Sequence, residues 1–234
     1  MNDSEPFPED LRLELARRAK KQIRARMKAL RGSFPAAALA QRSERIAERL
    51  RTLEVFAKAR SVALFWPMLE RGEVDLRILV GECLARDVRV FFPFMERGET
   101  KTRTGFRQAL SHDDLAEQGN SFWEPRAQLP EAVRGDVDVV LVPALAADAH
   151  GHRIGYGAGY YDATLGDVAP PAAVVVVAYD FQLLAELPTE AHDVAANWVV
   201  TESRTLEAGL PTPLGPQNPL AGRWLAFDRT PTKD

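Results

Sequence analysis

The sequence predicts an α/β fold built on a mostly parallel sheet. Three observations carry this. Short apolar runs rich in Val, Leu and Phe recur along the chain, several of them closed by proline. Amphipathic stretches separate them, as parallel strands require of their crossovers. The chain has 234 residues, 46% of them hydrophobic, enough for one large α/β unit.

From Leu11 to Leu30 the apolar residues Leu11, Leu15, Ala19, Ile23, Met27 and Leu30 recur at helical steps, and most of the rest are Arg and Lys. Gly32 ends this helix, and Ser33 with Pro35 opens a second that runs to about Leu50, giving an N-terminal helical pair. Ser61 to Trp66 reads as a buried strand closed by Pro67. A helix is expected from Asp75 to Ala85, then a strand from Val88 to Phe92 stopped by Pro93. Met95 to Pro130 is polar and irregular, with two short strands around Phe106 and Phe122. Val137 to Val142, Val174 to Tyr179 and Trp198 to Thr201 are the remaining strands. Residues 1–208 are expected to form one domain, and Pro- and Gly-rich 209–234 a tail.

Thirty Lys and Arg against thirty-three Asp and Glu leave a net charge of −3, which disfavours a nucleic-acid or anionic-membrane binder. No apolar run is long enough to span a bilayer, and the acidic start lacks a signal peptide's apolar core. A cytoplasmic location is expected. The single cysteine, Cys83, permits no intrachain disulfide and no Cys-rich zinc site; it reads as a core residue.

The richest stretch runs from Asp148 to Asp162. Gly151, Gly155, Gly157 and Gly159 fall within nine residues, after a strand and before a helix expected from Tyr160 to Leu165. Glycines there let the backbone approach a ligand closely, and N–H groups at a helix start suit phosphate. The spacing is neither a Walker loop nor the dinucleotide fingerprint. A plain glycine-rich turn is the competing reading. Arg153 adds a cation. Asp162 adds a carboxylate that suits either Mg²⁺ or the helix dipole. His150 and His152 read as polar loop residues. Lys20 and Arg24, four apart, share one helix face, either as phosphate ligands or as part of a solvated basic face with Arg17, Arg18, Lys21 and Lys28.

The segment Leu141-Val-Pro-Ala-Leu-Ala-Ala-Asp-Ala-His-Gly-His-Arg-Ile-Gly-Tyr-Gly-Ala-Gly-Tyr-Tyr-Asp162 resembles the signature of the 5-formyltetrahydrofolate cyclo-ligase family. Lys20-Lys-Gln-Ile-Arg24, Glu73-Val-Asp75, Glu124-Pro125, and His192-Asp193-Val194 followed by Val199-Val-Thr-Glu202 match further motifs in the same order, so the resemblance covers Lys20 to Glu202. It implies a three-layer α/β/α fold like the sugar-phosphate isomerase and CoA-transferase group. It also implies ATP- and Mg²⁺-dependent conversion of 5-formyltetrahydrofolate to 5,10-methenyltetrahydrofolate, with folate and ATP as small-molecule partners and a monomeric state.

By the same resemblance Lys20, Arg24 and the loop residues Arg153, Ile154, Gly155, Tyr156, Gly157, Ala158, Gly159, Tyr160 and Tyr161 would meet ATP. Arg153 and Tyr160 would be catalytic. Glu73, Asp75, Tyr156, Gly157, Gly159 and Trp123 would border the folate, with a helix-start cap the competing reading for Glu73 and Asp75 and a core tryptophan for Trp123, and Asp162 and Asn197 would hold the metal. The chain departs from the family pattern at Leu76, where Thr is frequent, at Ala158, where some members carry Lys, and at Asn197, where a metal-linked Asp is expected. That last departure favours a binding paralogue without turnover as the competing function. A sugar-phosphate isomerase is the more distant alternative.

Overall fold

A computed structural model describes residues 9–98, 102–118, 122–157, 159–190 and 193–208. The helices are α1 (Glu9–Gly32), α2 (Ala36–Thr52), α3 (Glu54–Ala57), α4 (Arg77–Ala85) and α5 (Tyr160–Val168). The first strands are β1 (Ser61–Ala63), β2 (Arg89–Arg97), β3 (Thr102–Ala109), β4 (Leu115–Glu117) and β5 (Trp123–Pro125). They are followed by β6 (Val139–Pro143), β7 (Ala146–Ala147), β8 (Arg153–Ile154), β9 (Ala173–Val177), β10 (Trp198–Val200) and β11 (Thr205–Glu207). The tail expected over 209–234 lies outside the described residues.

Seven strands form one sheet in the order β11-β10-β9-β6-β1-β2-β3. The five from β10 to β2 are parallel, and antiparallel β3 and β11 close the two edges. Strand alternation divides the core. Val62, Val90, Phe92, Val139, Leu141, Val175 and Val177 pack with α2, α3 and α4 on one face. Ala63, Phe91, Val140, Val142, Val174, Val176 and Val199 pack with Leu165 and Val168 of α5 on the other. This is the expected three-layer arrangement. Cys83 is in the first of these clusters, and burial pushes its thiol up to about 11, so it is a packing residue. Among the described residues no helix is long and apolar enough to cross a membrane.

Two expectations are corrected. β2 does not stop at Pro93 but continues to Arg97. The Phe91 carbonyl accepts from the Leu64 N–H, so odd-numbered residues of β2 face β1. Pro93 therefore turns its missing N–H toward a side where β1 has already ended at Ala63, and no ladder bond is lost. The segment after Met95 is less irregular than its composition suggests, because β3 pairs with β2 over eight residue pairs from Val90 to Arg97. β3 escapes sequence detection because it is a charged edge. Arg103 lies opposite Glu96, bonds it at 2.6 Å, and also bonds Glu131 at 2.6 Å.

Strand order reverses between β1 and β6, since β2 lies beyond β1 on one side and β9 beyond β6 on the other. In open α/β sheets a cleft forms beyond the carboxyl ends of the strands at such a reversal.

Candidate functional site

A cavity of about 850 Å³ lies at that reversal. Phe65 and Trp66 follow β1 into it, Pro93, Met95 and Arg97 come from β2, and Pro143 ends β6. Helix α1 supplies one wall with Lys20 and Arg24, and the glycine loop another with Arg153 to Gly157 and Gly159 to Asp162. Glu73 also lines it. Lys20, Arg24, Glu73, Arg153, Ile154, Gly155, Tyr156, Gly157, Gly159, Tyr160, Tyr161 and Asp162 therefore share one cavity. Ala158 lies outside the described residues.

Arg17, Arg18, Lys21 and Lys28 of α1 are exposed, but Lys20 and Arg24 turn inward from that basic face. Lys20 is 6% exposed, and its ammonium donates to Glu190 at 2.9 Å and Asp193 at 2.7 Å. Burial pulls its pKa down, but these bonds and the two carboxylate charges outweigh burial and raise it. Arg24 Nε donates to the Gly155 carbonyl at 3.0 Å, which straps α1 to the loop. Gly157 has φ +103°, and a Cβ there would meet the Arg24 guanidinium at 3.4 Å. Met27, one turn further, packs with Leu145, Ile154 and Leu187 and holds the strap in place.

Asp148, fully buried, shapes the loop. One of its oxygens accepts the N–H groups of His150 and His152, both at 3.0 Å. The other accepts from Leu187 N–H and lies 3.0 Å from His152 Nδ1. This agrees with the reading of His150 and His152 as loop residues. Gly151 has φ +83°, and a Cβ there would lie 2.3 Å from the Ala196 carbonyl oxygen. Gly151→Ala is expected to destabilise the fold by about 3 kcal/mol, combining left-handed strain with a backbone clash. A urea titration of the purified variant would read this as a lowered midpoint.

Arg153 carries the loop's cation into the cavity, with its side chain 5% exposed. It donates to Asp162 at 2.5 Å and to the Val194 carbonyl. Burial pulls the guanidinium pKa down and Asp162 opposes this. Arginine starts so high that it keeps its charge. The Tyr160 hydroxyl donates to the Gly105 carbonyl at 2.5 Å, and burial raises its pKa, so it is a neutral donor and not a base.

Two buried carboxyls face the same space. Glu73 is 4% exposed and accepts the Met68 N–H at 2.9 Å; Glu124 is 7% exposed. Burial raises both pKa values. For Glu73 the Met68 N–H, the Arg31 charge and the Tyr156 hydroxyl oppose the rise without cancelling it. A carboxyl raised on folding binds its proton more tightly in the folded chain than in the unfolded one. Its contribution to stability is fullest below the ordinary glutamate range and is lost as pH climbs through the raised value. Glu73→Gln should remove that slope. As pH rises from below the ordinary glutamate range through the raised value, the wild type should lose more stability than the variant, read as urea midpoints at each pH.

Three expected site residues lie elsewhere. Trp123 does not line the cavity; its neighbours Phe122 and Glu124 do. Period-two alternation along β5 turns it away, against Trp66 and His112 at ring distances of 6.5 and 5.3 Å. Trp66 supplies the indole wall instead. Asp75 lines a different cavity, where it grips Arg77 at 2.7 Å and accepts the Arg77 N–H at the start of α4. Asn197 lines neither cavity. Its amide oxygen accepts the Val174 N–H at 2.7 Å, closing the register of β9 against β10.

Sequence reasoning also missed Glu190, Trp66, Met68 and Glu124 as lining residues. Only Glu124 had a signal, as half of the Glu124-Pro125 pair. The acid that partners Lys20 from afar is invisible to local spacing.

The 5-formyltetrahydrofolate cyclo-ligase family model matches residues 16–202. Over 84 residues the chain is 49% identical to the 5-formyltetrahydrofolate cyclo-ligase of Mycolicibacterium smegmatis, covering 36% of this chain and 43% of that one. Over 177 residues it is 25% identical to the Haemophilus influenzae 5-formyltetrahydrofolate cyclo-ligase, covering 75% of this chain and 93% of that one. The solution structure of Aquifex aeolicus 5,10-methenyltetrahydrofolate synthetase superimposes with a TM-score of 0.70 at 30% identity, covering 83% of this chain and 95% of that one.

Proposed function

The chain belongs to the 5-formyltetrahydrofolate cyclo-ligase family, and we propose that it converts 5-formyltetrahydrofolate to 5,10-methenyltetrahydrofolate with consumption of ATP. The observation that carries this reading is the single cavity at the strand reversal. It holds three cations that suit phosphates, namely Lys20, Arg24 and Arg153, beside two buried carboxyls that suit a ring rich in N–H donors.

The chemistry needs both halves of that cavity. A formamide oxygen leaves poorly. In the proposed first step it attacks the γ-phosphorus of ATP, the new O–P bond forms, and the bond to the ADP oxygen breaks. N10 then attacks the formyl carbon, a C–N bond closes the ring, N10 loses its proton and the C–O bond breaks to release phosphate. Phosphoryl transfer of this kind rests on positioning and charge neutralisation. Lys20 and Arg24 are fixed by α1 and Arg153 by Asp162, so little reorganisation accompanies charge development. Glu73 accepts from the pterin N–H groups, and Tyr156 with Trp66 forms the aromatic walls.

Among the described residues no group of three or more His, Cys, Asp or Glu forms a metal cage. Mg²⁺ is commonly held by one or two carboxylates together with substrate phosphates and water. Asp162 would be its protein ligand. Asn197 is not carried into this role, since its amide oxygen is already engaged by β9. Mg²⁺ bound there would spread the negative charge of the transferring phosphoryl group.

The test mixes purified protein with 5-formyltetrahydrofolate and MgATP and follows the methenyl-folate absorbance band. Product should require ATP, and Asp162→Ala should lower the rate about a hundredfold or more. Tight binding of both ligands with no product would overturn the reading in favour of a binding paralogue.

A further inference from the structure

A second cavity of about 810 Å³ lies behind the glycine loop, between α1, the start of α2 and the connection from β1 to α4. It shares only Arg71, Glu73 and Tyr156 with the first. Its charges are unevenly matched. Lys28 Nζ, Arg31 Cζ and Arg71 Cζ lie 5.1, 5.6 and 5.5 Å from the centre of the Tyr156 ring. Arg77 is neutralised by Asp75 at 2.7 Å, whereas Glu70 reaches Arg71 only at 3.9 Å. Lys28 makes no salt bridge to any described residue. Arg31 is 3% exposed; it donates to the Tyr156 hydroxyl, and its Nε has no hydrogen-bond partner. The one buried acid nearby, Glu73, meets the charges of Arg31 and Arg71 as well as the Met68 N–H and the Tyr156 hydroxyl, one carboxyl against three cations. One aromatic face cannot compensate three cations that repel one another. Across from them Phe34, Leu39 and Ala40 give the cavity an apolar side.

We propose that this second cavity is a binding site for a small organic anion, with a phosphate or carboxylate head between Lys28, Arg31 and Arg71 and an apolar body against Phe34 and Leu39. Oxyanions match guanidinium donors in geometry as well as charge. The site adjoins the cleft assigned to ATP and folate through Arg71, Glu73 and Tyr156, but its occupancy does not depend on that assignment.

Calorimetric titration with phenyl phosphate and, separately, with 3-phenylpropionate tests it and distinguishes the two head groups. Saturable binding is expected for at least one. That binding should weaken about tenfold in Lys28→Gln, an exposed position with little risk to folding, and in Arg31→Gln. It should persist in Lys20→Gln, which alters only the first cavity. Thermal melts confirm that each variant is folded. Absence of binding by both probes overturns the proposal. So does binding that survives in Lys28→Gln and disappears in Lys20→Gln, because the ligand would then occupy the first cavity.

Discussion

Lys20→Met is expected to lower kcat/KM for MgATP by about two to three orders of magnitude and to lower the melting temperature by about 10 °C. Both effects follow from one geometry. Lys20 joins α1 to Glu190 and Asp193, and all three side chains are largely buried, at 8%, 10% and 15% exposure. Methionine replaces the stem but not the charge. The ion pairs that Lys20 makes with Glu190 and Asp193 are then broken, and breaking a buried pair costs about 3 kcal/mol or more. Arg17 does not substitute, since it lies 3.7 Å from Glu190 with a side chain 73% exposed. The kinetic loss expected on the proposed function has a separate origin, the cation that Lys20 would offer the phosphates. Nucleotide affinity measured on folded protein, below the lowered melting temperature, separates the two. Affinity unchanged from wild type would remove Lys20 from the ATP site and leave it a structural tie.

The same residue shows how far the sequence could be read. The four-residue step from Lys20 to Arg24 placed both on one face of α1, and both line the cavity. Spacing could not decide whether that face was wet, because the deciding partners lie 170 and 173 residues away. The parallel core was legible for a related reason. Strands such as Val139–Pro143 and Ala173–Val177 are buried on both faces and read as continuous apolar runs. β3 is an edge whose polar side chains pair across the hairpin, so it carries no such run. At the site, residues on the glycine loop were found together because a contiguous segment stays contiguous when folded. Trp123 faces away from the cavity because a single step along a strand reverses the direction of the side chain, and Asp75 is held at the start of α4 by Arg77.

Arg153→Lys should be nearly as damaging to catalysis as removal of the charge, with a loss of about a hundredfold in kcat and a smaller loss of stability. The guanidinium bridges two partners at once, one nitrogen to Asp162 and another to the Val194 carbonyl. A lysine ammonium reaching Asp162 would give up Val194, and the loop would lose its tie to the segment that carries Asp193. The variant should also acquire a pH dependence that the wild type lacks. Burial pulls the Arg153 pKa down, yet arginine has range to spare. A lysine in that environment starts about two to three units lower and is depressed by the same burial. If the charged form serves the transferring phosphate, residual activity will be present at low pH and will fall as pH rises through the lysine pKa. A rate profile from about pH 7 to about pH 10 reads this directly. A purely structural Arg153 would lower the variant's activity without that slope, and a flat profile would assign the residue to loop positioning alone.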